Sequence, residues 1–297
     1  YCGMRKIEVK KVGETPRIFL NGKQIFQMGP LDQGWWPDGL YTAPSDEALL
    51  FDIKAMKALE FNMIRKHIKI EPARWYMHCD REGILVWQDL PSPNLPSGYE
   101  DYAKKNFEDE SKRIITAFRN HPSIIQWVVF NEGWGQFDTE RMTQIVIGEV
   151  GQSLVCCASG WVDAPIGDIK DSHSYPNPSC PLDETRAGVC GEYGGITLKV
   201  QGHIWPGGDF QYTTVETGKD FTVLFNNLAD KVIDHYYYGL NAAVYTQLSD
   251  VEIEKNGIYT YDRRVLKPYS ATGELKTKIE ECINLPQSGI KVRPILS

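Results

Sequence analysis

Apolar and polar positions in this chain fall into two alternating rhythms. Short runs rich in Ile, Val, Phe and Met, compact enough to be buried strands, occur at 24–31, 62–68, 84–90, 124–130, 154–161, 169–175, 188–193 and 242–248. Between most of them lie stretches whose apolar residues recur every three or four positions, the period of a helix with one buried face. Leu49, Ile53, Met56 and Leu59 follow Ser45, a residue suited to cap a helix, and further helices are expected at 72–82, 99–120, 138–150, 219–237 and 273–282. The order strand, helix, strand predicts parallel βα units, although from 154 to 193 three strands follow one another with little helical pattern between them. Eight strands in this length predict an α/β fold of the (β/α)8 TIM barrel type. The open doubly wound sheet is the competing architecture, but no GxGxxG follows the first strand and no GxxxxGK[ST] occurs. Residues 1–12, with Ile7, Val9 and Lys11 spaced by two, read as an isolated strand ahead of a barrel domain spanning 13–297.

Composition narrows the chemistry. With 39 acidic against 32 basic residues the net charge is −7, so the chain offers no general attraction to nucleic acid or to an anionic membrane surface. The longest apolar run, 154–158, is far short of the ~18 residues that span a bilayer. Seven cysteines at irregular spacing, without a CxxC pair, predict buried thiols rather than a disulfide framework. No HExxH or GxSxG is present, and His78, Cys79 and Asp80 are contiguous on a predicted helix, where they cannot all face one ion. No metal or cofactor is expected.

In a barrel of this kind the reactive groups sit where strands end and loops begin. The apolar run 124–130 ends in Asn131-Glu132-Gly133-Trp134, and the run 188–191 ends in Glu192-Tyr193-Gly194-Gly195. These close the fourth and seventh strands, which face each other across a barrel mouth, so Glu132 and Glu192 can converge on one bond. A converging pair of carboxylates is the requirement for glycoside hydrolysis. Trp35, Trp36, Trp134, Trp161 and Trp205, all at predicted loops or strand ends, supply flat apolar walls of the kind that sugar faces stack on. A lone glutamate at a strand end is usually just solvated; the pair together with the tryptophans makes the case.

In their order along nearly the whole chain, Phe19-Leu20-Asn21-Gly22-Lys23, Phe61-Asn62-Met63-Ile64-Arg65, Cys79-Asp80-Arg81-Glu82-Gly83, His121-Pro122-Ser123, Asn131-Glu132 and Glu192-Tyr193-Gly194 resemble the catalytic barrel of glycoside hydrolase family 2, the β-galactosidase and β-glucuronidase family. The resemblance implies that Glu132 is the general acid/base, that Glu192 is the nucleophile, that Asn131 binds the sugar 2-hydroxyl and that Arg65 supports the nucleophile. Tyr175 corresponds to a tyrosine that hydrogen-bonds the nucleophile, with His173 beside it. Asp32, Trp35, Trp36, Asp89, Trp205 and Tyr245 stand at strand ends or loops where substrate contacts are expected, and His67 is a weaker candidate. The pattern departs from the family in three places. Tyr245 or Thr246 replaces a tryptophan near the last strand, Lys66-His67-Ile68 replaces a Ser-His pair, and no counterpart is found for the Asn and Lys pair that grips the carboxylate in β-glucuronidases. The expected function is therefore a retaining exo-β-glycosidase, β-galactosidase-like, acting on a carbohydrate substrate; the rival is a catalytically silent carbohydrate-binding barrel. The family also places β-sandwich domains ahead of its barrel, so residues 1–12 are expected to be the remnant strand of a preceding immunoglobulin-like domain of the parent chain.

Overall fold

A computed structural model describes residues 1–93, 100–269 and 273–288. Tyr99, where the third predicted helix begins, and residues 289–297 of the predicted barrel domain lie outside the described residues. Eight parallel strands form a closed barrel: β1 (Gln27–Asp32), β2 (Met63–Lys66), β3 (Leu85–Asp89), β4 (Ile124–Asn131), β5 (Leu154–Ser159), β6 (Ile169–Ser174), β7 (Ala187–Gly194) and β8 (Ala242–Thr246), with β8 pairing back onto β1. All eight predicted strands are present, and the (β/α)8 expectation holds.

Among the described residues six α-helices accompany them: α1 (Asp46–Ala58), α2 (Ala73–Glu82), α3 (Asp101–Phe118), α4 (Thr139–Val150), α5 (Gly218–Tyr238) and α6 (Glu274–Ile283). Ser45 caps α1 as its position predicts, its hydroxyl accepting the Ala48 N–H at 3.2 Å. Thr217 does the same for α5, accepting from the Asp220 N–H. Among the described residues no helix separates β5 from β6 or β6 from β7, which matches the missing helical pattern there. Among the described residues no helix is long and apolar enough to cross a membrane.

Two differences from the sequence reading lie at the start of the chain. Residues 7–12 are not an isolated strand: Ile7–Val12 pairs antiparallel with Thr15–Leu20, in the register Ile7 to Leu20 through Val12 to Thr15, around a turn where Gly13 takes φ +62°. The predicted first strand is also split. Lys23–Gln24 pairs with Thr15–Leu20, and the barrel strand begins only at Gln27.

This small sheet plugs one end of the barrel. Ile7 and Ile18 join Leu31, Met63, Trp87, Ile125, Val189 and Val244 in an apolar cluster that fills the barrel interior. A larger cluster, including Met28, Ile53, Trp75, Val129 and Phe225, lies between strands and helices. Alternation along β8 shows the division: Ala242 and Val244 belong to the inner cluster, Ala243 and Tyr245 to the outer one. The plug is anchored by Arg17, fully buried 4.5 Å over the Tyr236 ring, which donates to Tyr236 O at 2.7 Å and Leu240 O at 2.8 Å near the carboxyl end of α5. Arg17→Ala removes a hydrogen bond from each of two buried carbonyls, Tyr236 O keeping only the Gly239 N–H, and should lower the urea unfolding free energy by about 3 kcal/mol, whereas Lys11→Ala on the exposed edge should stay within about 0.5 kcal/mol.

Candidate active site

At the opposite end, where the strands terminate, the interior turns polar around Arg65. Its side chain is fully buried, and it comes from β2. The guanidinium grips Asp89 at the end of β3 through both carboxylate oxygens, at 3.2 and 2.9 Å. It also donates to Asn131 Oδ1 at 2.8 Å, to Gly191 O at 3.0 Å and to Glu192 Oε1 at 3.2 Å. One cation thus ties together the ends of four strands. Burial opposes the Asp89 charge, but the Arg65 guanidinium and the neighbouring His67 outweigh it and hold the carboxyl below the usual carboxylate range.

Glu192 leaves β7 with its other oxygen, Oε2, accepting the Tyr175 hydroxyl at 2.5 Å. Tyr175 also meets Thr246 Oγ1 at 2.7 Å and stacks on Tyr212, with ring centroids 3.8 Å apart. Glu132 follows β4 with a left-handed backbone, φ +54°, its N–H bound to Ser159 O at 2.7 Å. That turn brings its carboxylate to His173 Nδ1 at 2.7 Å; the same nitrogen is 3.5 Å from Glu192 Oε2. Oxygen atoms of the two glutamates and this imidazole nitrogen lie within 4.8 Å of one another. Burial raises the Glu132 carboxyl, with Arg65 pulling the other way. Burial also lowers His173 to about 4, against the pull of Glu192, which keeps the imidazole neutral at ordinary pH.

The two carboxylates open into a cavity of about 400 Å³. Of the residues singled out in the sequence, Asn131, Glu132, Tyr175, Glu192, His67 and Trp134 line it, and Thr246 rather than Tyr245 represents the last strand. Arg65 and His173 stand directly behind this surface.

Six expected substrate contacts are elsewhere. Asp32 is buried and paired with Lys66 at 2.5 Å, and Asp89 is spent on Arg65 and His67. Trp35 and Trp36 are buried in loop packing, the first edge-on to Trp205 at 4.7 Å and the second beneath the Arg263 guanidinium at 4.0 Å. Trp205 packs against Tyr261 on its other side. Tyr245 points outward into the layer of Phe221 and Phe225, because neighbouring residues of a strand face opposite ways.

Sequence reasoning missed Gln33, Phe210, Tyr212 and Glu254, which line the cavity from the loops after β1, β7 and β8. Glu254 Oε2 accepts from the amides of Gln33 and Gln247, both at 2.8 Å, and burial raises its carboxyl. The pair Glu252 and Glu254, spaced by two a few residues beyond the last strand, was the available signal. The aromatic pair was not flagged by any periodicity.

Glu132, His173 and Glu192 are the one grouping of three metal-capable side chains among the described residues. Their atoms are already engaged: Arg65 and Tyr175 hold Glu192, and His173 Nδ1 holds Glu132. The arrangement is that of a hydrogen-bonded carboxylate pair.

Comparison with known proteins bears on the family and the fold. The family model described as "Glycosyl hydrolases family 2, TIM barrel domain" matches residues 15–159. The chain is 30% identical over 157 residues to the β-galactosidase large subunit of Latilactobacillus sakei, covering 47% of this chain and 24% of that protein. It is 31% identical over 121 residues to a putative β-glucuronidase of Formosa agariphila, covering 39% of this chain and 11% of that one. The chain therefore spans a quarter or less of the length of these curated relatives. Among solved structures, a family 2 β-galacturonidase from Eisenbergiella tayi bound to galacturonate superposes with a TM-score of 0.75 over 94% of this chain and 55% of that one, at 18% identity, a likeness of fold. Residues 15–159 match the TIM barrel domain of glycosyl hydrolase family 2, and the closed barrel that they open runs on to Thr246.

Proposed function

We propose that the barrel hydrolyses β-linked O-glycosides with retention of configuration, Glu192 acting as nucleophile and Glu132 as general acid and then base. The observation that carries this reading is the approach of the two carboxylates to within 4.8 Å, oxygen to oxygen, at the floor of the cavity. Retaining enzymes hold their carboxyl groups about 5–5.5 Å apart, while inverting enzymes need about 6.5–9.5 Å to admit a water. Unequal surroundings support the division of roles. Burial favours a proton on Glu132, and Glu192 receives hydrogen bonds from Arg65 and Tyr175 on separate oxygens, leaving the carboxylate oriented for attack.

In the first step Glu192 forms a bond to the anomeric carbon while the Glu132 proton passes to the departing glycosidic oxygen. In the second, Glu132, now a carboxylate, takes a proton from water as that water displaces Glu192. Asn131 Oδ1 accepts from Arg65 and the residue lines the cavity, which leaves its amide N–H groups to hold a sugar 2-hydroxyl. Tyr212, Phe210 and Trp134 offer faces for the sugar ring.

The sugar itself is read from charge. The cavity is lined by Glu132, Glu192, Glu252 and Glu254, and among the described residues no Lys or Arg lines it. Lys255, close by in sequence, turns to Gly208 O and Asp209 instead. A neutral sugar fits this wall better than a uronic acid, so an exo-β-glycosidase of β-galactosidase-like specificity is the preferred reading.

A panel of aryl β-glycosides tests it. Hydrolysis of a neutral β-glycoside, with the first-released sugar in the β configuration by NMR, is the expected result; an α product establishes inversion, and binding without turnover establishes a silent carbohydrate-binding barrel. Substitution separates the roles. Glu132→Ala should lower kcat/KM on substrates with poor leaving groups by about 10²–10⁴-fold. Azide should rescue it to the β-glycosyl azide by two inversions, whereas Glu192→Ala with azide should give the α-azide by one.

A further inference from the structure

Behind Glu132 runs a chain of buried groups that the two-carboxylate reading does not use. His173 Nε2 lies 2.7 Å from Ser159 Oγ on β5, and that hydroxyl lies 2.5 Å from Asp171 Oδ2 on β6. Asp171 Oδ1 accepts the Gly191 N–H at 2.6 Å. The carboxyl is fitted closely: a Cβ at position 191 would come within 2.2 Å of it. Asp171 is buried, and the His173 side chain has no exposure at all.

We propose that Asp171, Ser159 and His173 form a buried hydrogen-bond relay that ends on Glu132 and selects its protonation state, with Asp171 as the positioning residue. The proposal rests on the acid/base reading of Glu132. With His173 neutral, only two directions satisfy every link. In one, Glu132 O–H donates to His173 Nδ1, Nε2–H donates to Ser159 Oγ, and the Ser159 O–H donates to an ionised Asp171. Moving one proton along each link gives the other: Asp171 is protonated and donates to Ser159, Ser159 donates to Nε2, and Nδ1–H donates to a Glu132 carboxylate. The net change is one proton carried from Glu132 to Asp171, with His173 neutral in both. An ionised Asp171 therefore keeps Glu132 in its acid form.

The surroundings permit both states. Burial pushes Asp171 up to about 7, against Arg65 and the Ser159 and Gly191 hydrogen bonds, with Glu192 adding to the rise. The thiols Cys156 and Cys190 also face it, both raised by their own burial. Around Glu132 stand Arg65, His67, Trp134 and, across the cavity, Tyr212. Arg65 Nη1 is a competing donor to His173 Nε2 at 3.3 Å, but Gly191 O and Glu192 already accept from it.

Asp171→Asn reverses the relay without changing its shape. Gly191 N–H fixes the amide oxygen, so the NH₂ must face Ser159 and donate, which drives Nδ1–H towards Glu132 and favours its carboxylate. Ser159→Ala leaves Arg65 as the Nε2 partner and acts in the same direction. Carboxyl-¹³C NMR of glutamate-labelled protein, with the Glu132 signal assigned by its loss in Glu132→Gln, reads the result directly. The Glu132 midpoint should fall by about one pH unit in both variants, a shift that hydrogen bonding to the charged form produces. An unchanged midpoint in folded variants overturns the relay; should Asp171→Asn fail to fold, the Ser159→Ala midpoint decides alone. The basic limb of kcat/KM on an aryl β-glycoside should move with the midpoint, which a merely structural role would not cause. Wild-type protein that hydrolyses no glycoside overturns the hydrolase reading, and the NMR shift still decides the relay.

Discussion

A guanidinium with no exposure to water governs this molecule. Removing an ion from solvent costs several kcal/mol unless its hydrogen bonds are replaced inside, and Arg65 replaces them with Asp89, Asn131, Gly191 O and Glu192. Those partners come from β3, β4 and β7, so satisfying one cation fixes the ends of strands on opposite sides of the barrel. Of the two glutamates Arg65 bonds Glu192, while Glu132 is held by His173 Nδ1 at 2.7 Å. Lysine, a point charge on a flexible stem, could not reproduce this fork. The place of Glu192, and through Asn131 the end of the strand that carries Glu132, thus follow from where Arg65 finds its acceptors.

The barrel axis runs from dry to polar. At the plugged end Ile7 and Ile18 complete an apolar interior, whose burial stabilises the closed sheet. At the other end the interior positions are Arg65, Asp89, Ser159, Asp171, His173 and Glu192, each tied to another by a hydrogen bond. The two ends do different work: burying an unpaired polar group costs free energy, so the polar end sets its charged groups in hydrogen-bonded contact with one another. A rigid apolar lower half is what allows so many ionisable side chains to be confined in the upper half.

The barrel was legible because its strands are short apolar runs closed by polar residues, and Glu132 and Glu192 stand at two of those closures. The two residues are placed by backbone alone, so position along the run was enough. What escaped depended on the direction of side chains or on loops. Asp32 and Asp89 lie at strand ends exactly as substrate contacts would, yet buried cations claim them. Tyr245 and Thr246 differ by one position and face opposite layers, a distinction that needs the register of β8. Thr15–Leu20 carried too few residues, and too mixed a pattern, to be told from a loop until its pairing with Ile7–Val12 was seen. Tyr212 and Phe210 reach the cavity on a loop whose course follows its contact with the loop after β8, where Phe210 N donates to Ile253 O.

The left-handed backbone at Glu132 has a bearing on how this site can change over time. Residues with side chains are uncommon at φ +54°, and Gly133 beside it also takes a positive φ, +79°. Any replacement at 132 is therefore sorted first by whether it accepts this conformation and only then by its acidity, with Asn, Asp and Gly admitted far more readily than branched residues. Mutational drift at this position runs through a narrow corridor of short polar side chains, each of which withdraws the carboxylate or removes it. A lineage that loses its glutamate here would keep the fold and the cavity while finding few routes to another carboxyl in the same place.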